Sequence, residues 1–318
     1  MEVSQPDVFT MVPSYNHGTF IGRCLRSIID QTVSPRKLLV IDDGSTDGSP
    51  EVIAKVLNDC PFPSELIVRE NRGLCATLNQ ALTLTDHKYF AYIGADDIWL
   101  PEFLDQRFRV MEERSDAVLA YGHAYIIDSD DKVIDSTADY TDSWADYPDG
   151  NARAMLLKGI SPISSTIFYR RSILNRVSWN ERSRLEDYEM YIQLMNLGDF
   201  AFDPQVLSAW RDHSKNTSKD TQMMLREVIA TQDRNIDTLG VSREELDRLQ
   251  AKTKFTFARE MLQHGDKSAA MQLAKENWQG AQSKGELLKF ALRMAVPMFV
   301  VGFKRSRRAK KALEALRS

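Results

Sequence analysis

Four short apolar runs, separated by amphipathic segments and each stopped by polar residues, fill the first hundred positions of the chain. Val8–Val12 ends at Pro13, and Phe20–Gln31 then sets Ile21, Leu25, Ile28 and Ile29 at helical spacing. Leu38–Ile41 stops at Asp42-Asp43-Gly44-Ser45, and Val52, Ile53, Val56 and Leu57 mark the next helix. Leu66–Arg69 precedes a third helix marked by Leu74, Leu78, Ala81 and Leu82. Tyr89–Ile93 stops at Gly94-Ala95-Asp96-Asp97, and Pro101 opens a helix running to about Glu113. Strand and helix in strict alternation predict an α/β fold with a mostly parallel central sheet covered by helices. Such sheets bind ligands beyond the carboxyl ends of their strands. The polar motifs after the first, second and fourth strands therefore belong to one rim.

The pattern changes at Ala117. Val118–Tyr121, Tyr125–Ile127 and Val133–Ile134 read as short strands of a meander, and residues 128–149, with eight aspartates, as loop. Thr166–Tyr169 is a further strand, Leu185–Leu197 an amphipathic helix, and Phe200–Phe202 and Val206–Trp210 two short strands. After Asp220 the chain reads as wholly helical. Its stripes are Met224 to Ile236, Leu246, Leu249, Phe255, Phe257 and Leu262, and Ala269–Trp278.

Composition narrows the class. Net charge is −4, so no global basic field attracts nucleic acid. Residues 286–318 carry nine bases against two acids, a net of +7, and the remainder is acidic at −11. Within that tail, Leu287–Phe303 is apolar but broken by Lys289, Arg293 and Pro297, and a Lys/Arg cluster follows from Lys304 to Lys311. The tail is too interrupted to span a bilayer but suits adsorption to an anionic membrane surface. The alternative is a packing helix with a solvated basic end. Three cysteines without CxxC spacing, and an N-terminus without a basic, apolar leader, predict a reduced cytoplasmic protein.

Each polar motif admits a functional and a structural reading. Asp96-Asp97 offers oxygen ligands to Mg²⁺ or Mn²⁺, or caps a helix. Asp42-Asp43 accepts hydrogen bonds from a base or ribose, or closes a turn. Pro13-Ser14-Tyr15-Asn16 offers an aromatic face to a nucleobase, or opens a helix. Glu186-Asp187 is either a general base or a pair of acids favoured by a helix dipole. Arg211 is a candidate phosphate ligand and His213 a candidate metal ligand. A calcium loop at Asp43 fails because its twelfth position is Ala54. There is no GxGxxG and no P-loop, so the usual dinucleotide and phosphate-loop classes lose support.

Taken together, VPSYNHGTFIGRCLRSIIDQT, LLVIDDGSTDGS, ENRGLCATLNQAL, YFAYIGADDIWLP, LEDYEMYIQLMNLGDFAF and WRDHSKNTS closely resemble glycosyltransferase family 2, inverting enzymes of the GT-A fold. The resemblance covers about residues 7–218. It implies a GT-A domain over 1–218, with a nucleotide-binding half at 1–115 and an acceptor-binding half at 116–218. A helical bundle at 219–285 and the tail at 286–318 lie outside it. It further implies that Pro13, Tyr15 and Asn16 line the nucleotide pocket and that Asp42 and Asp43 face the base or ribose. Asp96 and Asp97 would end the metal motif, with His213 as a further contact, and Asp187 would be the base with Glu186 beside it. Asn79 belongs to the substrate side. The residue before it is Leu78 where many relatives carry a base, and Arg72 is the candidate to supply that contact. Gly94 stands where the family often has an acid, which leaves metal binding to the last two aspartates.

The implied reaction moves a sugar from a nucleoside-diphosphate sugar, a UDP-sugar first, to a glycan or lipid-linked acceptor in surface polysaccharide or glycolipid assembly. Mn²⁺ or Mg²⁺ would assist at the inner face of the plasma membrane. The alternative is an inactive relative serving as a binding protein.

Overall fold

The computed structural model describes residues 6–140 and 150–295. The chain divides into two compact units, Met1–Ala152 with Ser161–Asp212, and Arg153–Ile160 with His213–Ser318.

In the first unit, β1 (Val8–Ser14), β2 (Lys37–Asp42), β3 (Ser64–Val68) and β4 (Tyr89–Tyr92) alternate with helices α1 (Ile21–Ile29), α2 (Ser49–Asn58) and α3 (Leu74–Thr83). The strands pair in parallel in the order β3-β2-β1-β4. Strands β1, β2 and β4 are buried almost throughout, which is why they read as unbroken apolar runs. α1 buries Ile21, Cys24, Leu25 and Ile28 on one stripe, and Ile29 lies at its margin. Leu74 departs from its expected core position and stands exposed at the start of α3.

The remainder of the sheet departs further from the sequence reading. A two-residue strand, β5 (Ile98–Trp99), precedes α4 (Phe103–Glu113), which begins two residues after Pro101. The expected meander is instead one long strand with a short strand beside it. β6 (Ala117–Ile127) is continuous, with β7 (Val133–Ser136) returning beside it. A single turn, α5 (Arg153–Leu156), belongs to the second unit. β8 (Phe168–Arg170), α6 (Arg171–Leu174) and α7 (Glu186–Leu194) follow, and then β9 (Asp199–Arg211) runs parallel to β6 along its length. Among the described residues the sheet has nine strands and reads β3-β2-β1-β4-β8-β6-β9-β5, with β7 on β6.

Register shifts in β6 and β9 explain why these strands looked like broken pieces. One shift lies at Gly122, where a Cβ would come within 2.3 Å of the Asp203 carbonyl and 2.4 Å of the Arg107 guanidinium. Arg107 is fully buried and paired with Asp203, so only glycine fits there.

The second unit is helical. α8 (Thr221–Arg234) is capped by Asp220, and α9 (Ile236–Leu239) ends at Gly240. α10 (Arg243–His264) opens with a capping box of Ser242 and Glu245, while Asp266 caps α11 (Lys267–Glu276). α12 is Lys284–Ala295. Phe255, Ala258, Met261, Leu262, Ala270, Ala274 and Phe290 form its core. Among the described residues no helix is long and apolar enough to cross a membrane. Most of the apolar and basic tail, from residue 296, and positions 141–149 of the aspartate-rich segment lie outside the described residues.

Candidate active site

The rim at the carboxyl ends of β1 and β2 is held by side chains bonding to backbone. Asn16 takes a left-handed φ of 56°, a conformation Asn tolerates better than most residues. Its N–H donates to Ser45 Oγ at 2.8 Å, and its side-chain oxygen accepts the Thr46 N–H at 2.9 Å. The His17 N–H donates to Ser49 Oγ at 3.1 Å and the Gly18 N–H to Asp47 at 2.9 Å. The polar residues after β2 therefore stitch the two loops together. Tyr15 remains half exposed just past β1, in which Pro13 lies.

Asp42 and Asp43 are both buried. Asp42 accepts the Ser45 N–H at 2.8 Å and the hydroxyls of Ser45 and Ser14. Asp43 receives the N–H groups of Arg72 and Gly73, at 3.0 and 2.7 Å, and pairs with Arg69 Nη2 at 2.9 Å. Each carboxylate thus already satisfies protein donors. Arg72 lends its backbone to this turn and leaves its side chain exposed. Asn79 clamps the segment before α7: its amide donates to the Trp179 carbonyl at 2.8 Å and accepts the Trp179 N–H at 3.0 Å.

Three groups on this rim escaped the sequence reading. Arg69 follows β3 directly, and its Nε and Nη1 are buried without a protein acceptor. His17 brings Nε2 to 3.8 Å from Asp96 Oδ2. Tyr92, at the end of β4, is buried with no hydrogen-bond partner for its hydroxyl among the described residues and lies near enough to Glu186 and Asp187 to feel their charge. Each stands at or just past a strand end, where strand periodicity fixes the position of a residue but not the direction of its side chain.

The Asp96-Asp97 turn closes through an Asp97 N–H bond to the Gly94 carbonyl at 3.0 Å. Asp97 is buried, and its Oδ1 accepts the Arg211 N–H at 2.8 Å. Burial, and next the charge of Asp96, push its carboxyl well above the usual range, against the pull of Arg211. Arg211 is itself fully buried. Its guanidinium donates to the carbonyls of Asp96 at 2.6 Å and Asp128 at 2.7 Å, pairs with Asp131 at 2.5 Å, and lies over Phe20. It braces the turn with acceptors from the protein itself. Asp131 also pairs with Arg23, so the start of the aspartate-rich segment is tied down. His213 opens the second unit, where its Nδ1 accepts the Lys215 N–H at 3.2 Å.

Glu186 and Asp187 occupy the first turn of α7, where the helix dipole favours acids. Burial overrides that benefit. It pushes Glu186 up to about 8, helped by the charges of Asp187 and Asp96 and opposed by a backbone hydrogen bond. Burial also raises Asp187, while the Tyr188 N–H holds its Oδ1 at 2.6 Å. Tyr92 and Tyr169, stacked on one another with Trp179 edge-on to both, stand near enough to the pair to feel its charge. The repulsion between Glu186 and Asp96 places α7's acids within electrostatic reach of the Asp96-Asp97 turn.

Comparison with known proteins identifies the family and the fold. The Glycosyl transferase family 2 model matches residues 10–178, and the chain belongs to that family. It is 30% identical over 173 residues to an uncharacterized glycosyltransferase of Nostoc sp., covering 54% of this chain and 52% of that one. It is 24% identical to chondroitin synthase of Pasteurella multocida, over 79% of this chain and 26% of that protein. The chain thus spans about half or less of the length of these curated relatives. Among solved structures it resembles S. aureus TarS 1–349 in complex with UDP-GlcNAc, with TM-score 0.58, 14% identity, and coverage of 97% of this chain and 91% of that one. It also resembles the mannosyltransferase PcManGT of Pyrobaculum calidifontis in complex with GDP-Man and Mn²⁺, with TM-score 0.59, 16% identity, and coverage of 95% and 88%. The fold is therefore that of the GT-A transferases.

Proposed function

We propose that the chain is an inverting glycosyltransferase that moves a sugar from a nucleoside-diphosphate sugar to an acceptor hydroxyl. One observation carries the reading. Two partly buried acids with raised proton affinity stand within electrostatic reach of the Asp96-Asp97 pair, of which Asp97 is buried, on the ligand-binding rim of a parallel sheet. A purely structural pair would gain little from such burial, which disfavours the charged form.

Asp187 takes the proton from the acceptor hydroxyl as its oxygen attacks the anomeric carbon. The bond from that carbon to the diphosphate oxygen breaks on the opposite face, so configuration inverts in one displacement. Tyr15 offers its ring to the base. The Asp43 turn and Arg69, with two N–H groups lacking protein acceptors, face the nucleotide's polar groups. Asp96 and Asp97 offer the carboxylate oxygens that Mn²⁺ or Mg²⁺ prefers, with His17 beside Asp96, and a cation there would offset the Asp96 charge that, after burial, raises Asp97. When bound, that ion neutralises charge on the leaving diphosphate.

The donor is a UDP-sugar, as in the TarS complex, and the acceptor a glycan or lipid-linked sugar in surface polysaccharide assembly, reached from the inner face of the membrane. The polysaccharide assignment draws on the likeness to chondroitin synthase. Asp187→Asn tests the mechanism. Donor binding should persist while transfer falls by about a hundredfold or more, in line with loss of a general base. Transfer that survives within a few-fold would refute the base assignment. Gly94, where relatives often have an acid, motivates the rival reading of an inactive binding protein. Hydrolysis of UDP-sugars by the full chain, dependent on added Mn²⁺, excludes that rival.

A further inference from the structure

The second unit carries an apolar face that its own core does not use. On α12, Leu287, Phe290 and Met294 pack with the core around Phe255. Leu288 and Leu292, one turn apart, are 61% and 60% exposed. Lys289 and Arg293, next to each in sequence, are exposed as well. Trp278, before α12, is 59% exposed, and Met271 on α11 is 41% exposed. Among the described residues these four are the large exposed apolar side chains of the second unit, and all lie between 271 and 292. A helix with apolar residues turned away from its own core, flanked by bases, has the pattern of an interfacial helix.

The chain that follows α12 favours one occupant. Positions 296–303 read Val-Pro-Met-Phe-Val-Val-Gly-Phe, and positions 304–311 hold six Lys/Arg and no acid. The exposed face thus leads directly into apolar and then strongly basic sequence. Leucines and a tryptophan suit the boundary between headgroups and acyl chains, and clustered bases suit anionic lipid. A protein partner of matching charge would need no apolar run before the basic cluster.

We infer that the Leu288–Leu292 face of α12, with Trp278, docks on an anionic lipid bilayer. The inference deepens the proposed reaction by naming the surface on which a lipid-linked acceptor is met, and in that respect rests on it. Docking itself is measured without any substrate.

The test sediments the full chain with vesicles of phosphatidylcholine alone and of phosphatidylcholine with phosphatidylglycerol. Binding is expected to the anionic vesicles only and to weaken as salt rises. Leu288→Gln with Leu292→Gln leaves the charge unchanged and should weaken partitioning by about tenfold or more, since each leucine loses much of its transfer gain. Metal-dependent donor hydrolysis by that variant should match the parent. Equal binding of parent and variant would overturn the face, leaving adhesion to the basic tail alone. Binding to both vesicle types alike would overturn the anionic preference. Pelleting without vesicles that the variant abolishes would assign the face to a second copy of the chain and overturn the proposal. A chain that docks yet hydrolyses no nucleotide sugar would sink the proposed reaction and leave the docking surface standing.

Discussion

Arg211→Lys separates a bracing role for this residue from a direct ligand role. The guanidinium serves three acceptors, the Asp96 and Asp128 carbonyls and the Asp131 carboxylate. Lysine keeps the charge but, with one ammonium on a different geometry, satisfies about one of them. Asp131 is about a third exposed and keeps Arg23, so water screens its loss and the contribution is about 1 kcal/mol at most. A buried carbonyl left without a donor costs about 1–3 kcal/mol. The weakened stacking over Phe20 adds about 0.5–1 kcal/mol. Together these predict a loss of about 2–4 kcal/mol, a large part of the roughly 5–15 kcal/mol available to a domain. For a unit of this size the melting temperature should fall by about 5–10 °C.

The assay is thermal denaturation of the full chain, paired with titration of UDP and Mn²⁺. The backbone N–H of Arg211 still holds Asp97 in the variant, but the Asp96 carbonyl is released. Metal-dependent nucleotide affinity should therefore drop together with stability. A melting temperature within about 1 °C of the parent would refute the bracing argument, because those acceptors would then have had other donors. Unchanged stability with lost nucleotide affinity would point instead to direct contact between the guanidinium and phosphate.

Three further outcomes are expected. Folding lifts Glu186 from 4.5 to about 8, so between those values the folded chain holds a proton that the unfolded chain has released, and stability falls as pH rises through that window. Glu186→Gln should flatten that decline and be the more stable protein above about pH 8, by a few kcal/mol; urea denaturation across pH checks it, and an unchanged slope rejects it. Gly94→Ala places a Cβ 2.8 Å from Asp96 Oδ1, a side-chain tip that can swing away. Its stability should change by less than about 1 kcal/mol while Mn²⁺ affinity shifts, and calorimetric titration with no change would remove Asp96 from the metal set. Arg69→Lys keeps a charge beside Asp43 but loses the forked N–H groups, and UDP affinity should weaken about tenfold; an equal affinity would show that those groups face no ligand.

The parallel half of the fold was legible because β1, β2 and β4 are buried on both faces, and burial writes itself as an apolar run. The placement of Tyr15, Asp43 and Asp97 on one rim followed from strand ends alone. β6 and β9 were not legible. Their register shifts interrupt the alternation, and their pairing is set by residues some eighty positions apart. Leu74 shows the limit of helical periodicity, since a stripe gives spacing but not which end of the helix reaches past the sheet.

From its sequence alone the chain determined its alternating core and the loops that carry carboxylates, because apolar spacing and turn residues act locally. Only the tertiary structure decided what those carboxylates are. Asp42 and Asp43 became hydrogen-bond hubs because Ser14, Ser45, Arg69, Arg72 and Gly73 converge on them. Arg211 became a brace because β9 delivers it beneath the Asp96 turn. Glu186 became an acid of raised proton affinity because the fold desolvates it and sets Asp187 and Asp96 near its carboxylate. Charge, burial and solvation are properties of the surroundings, and the surroundings exist only once distant segments have met.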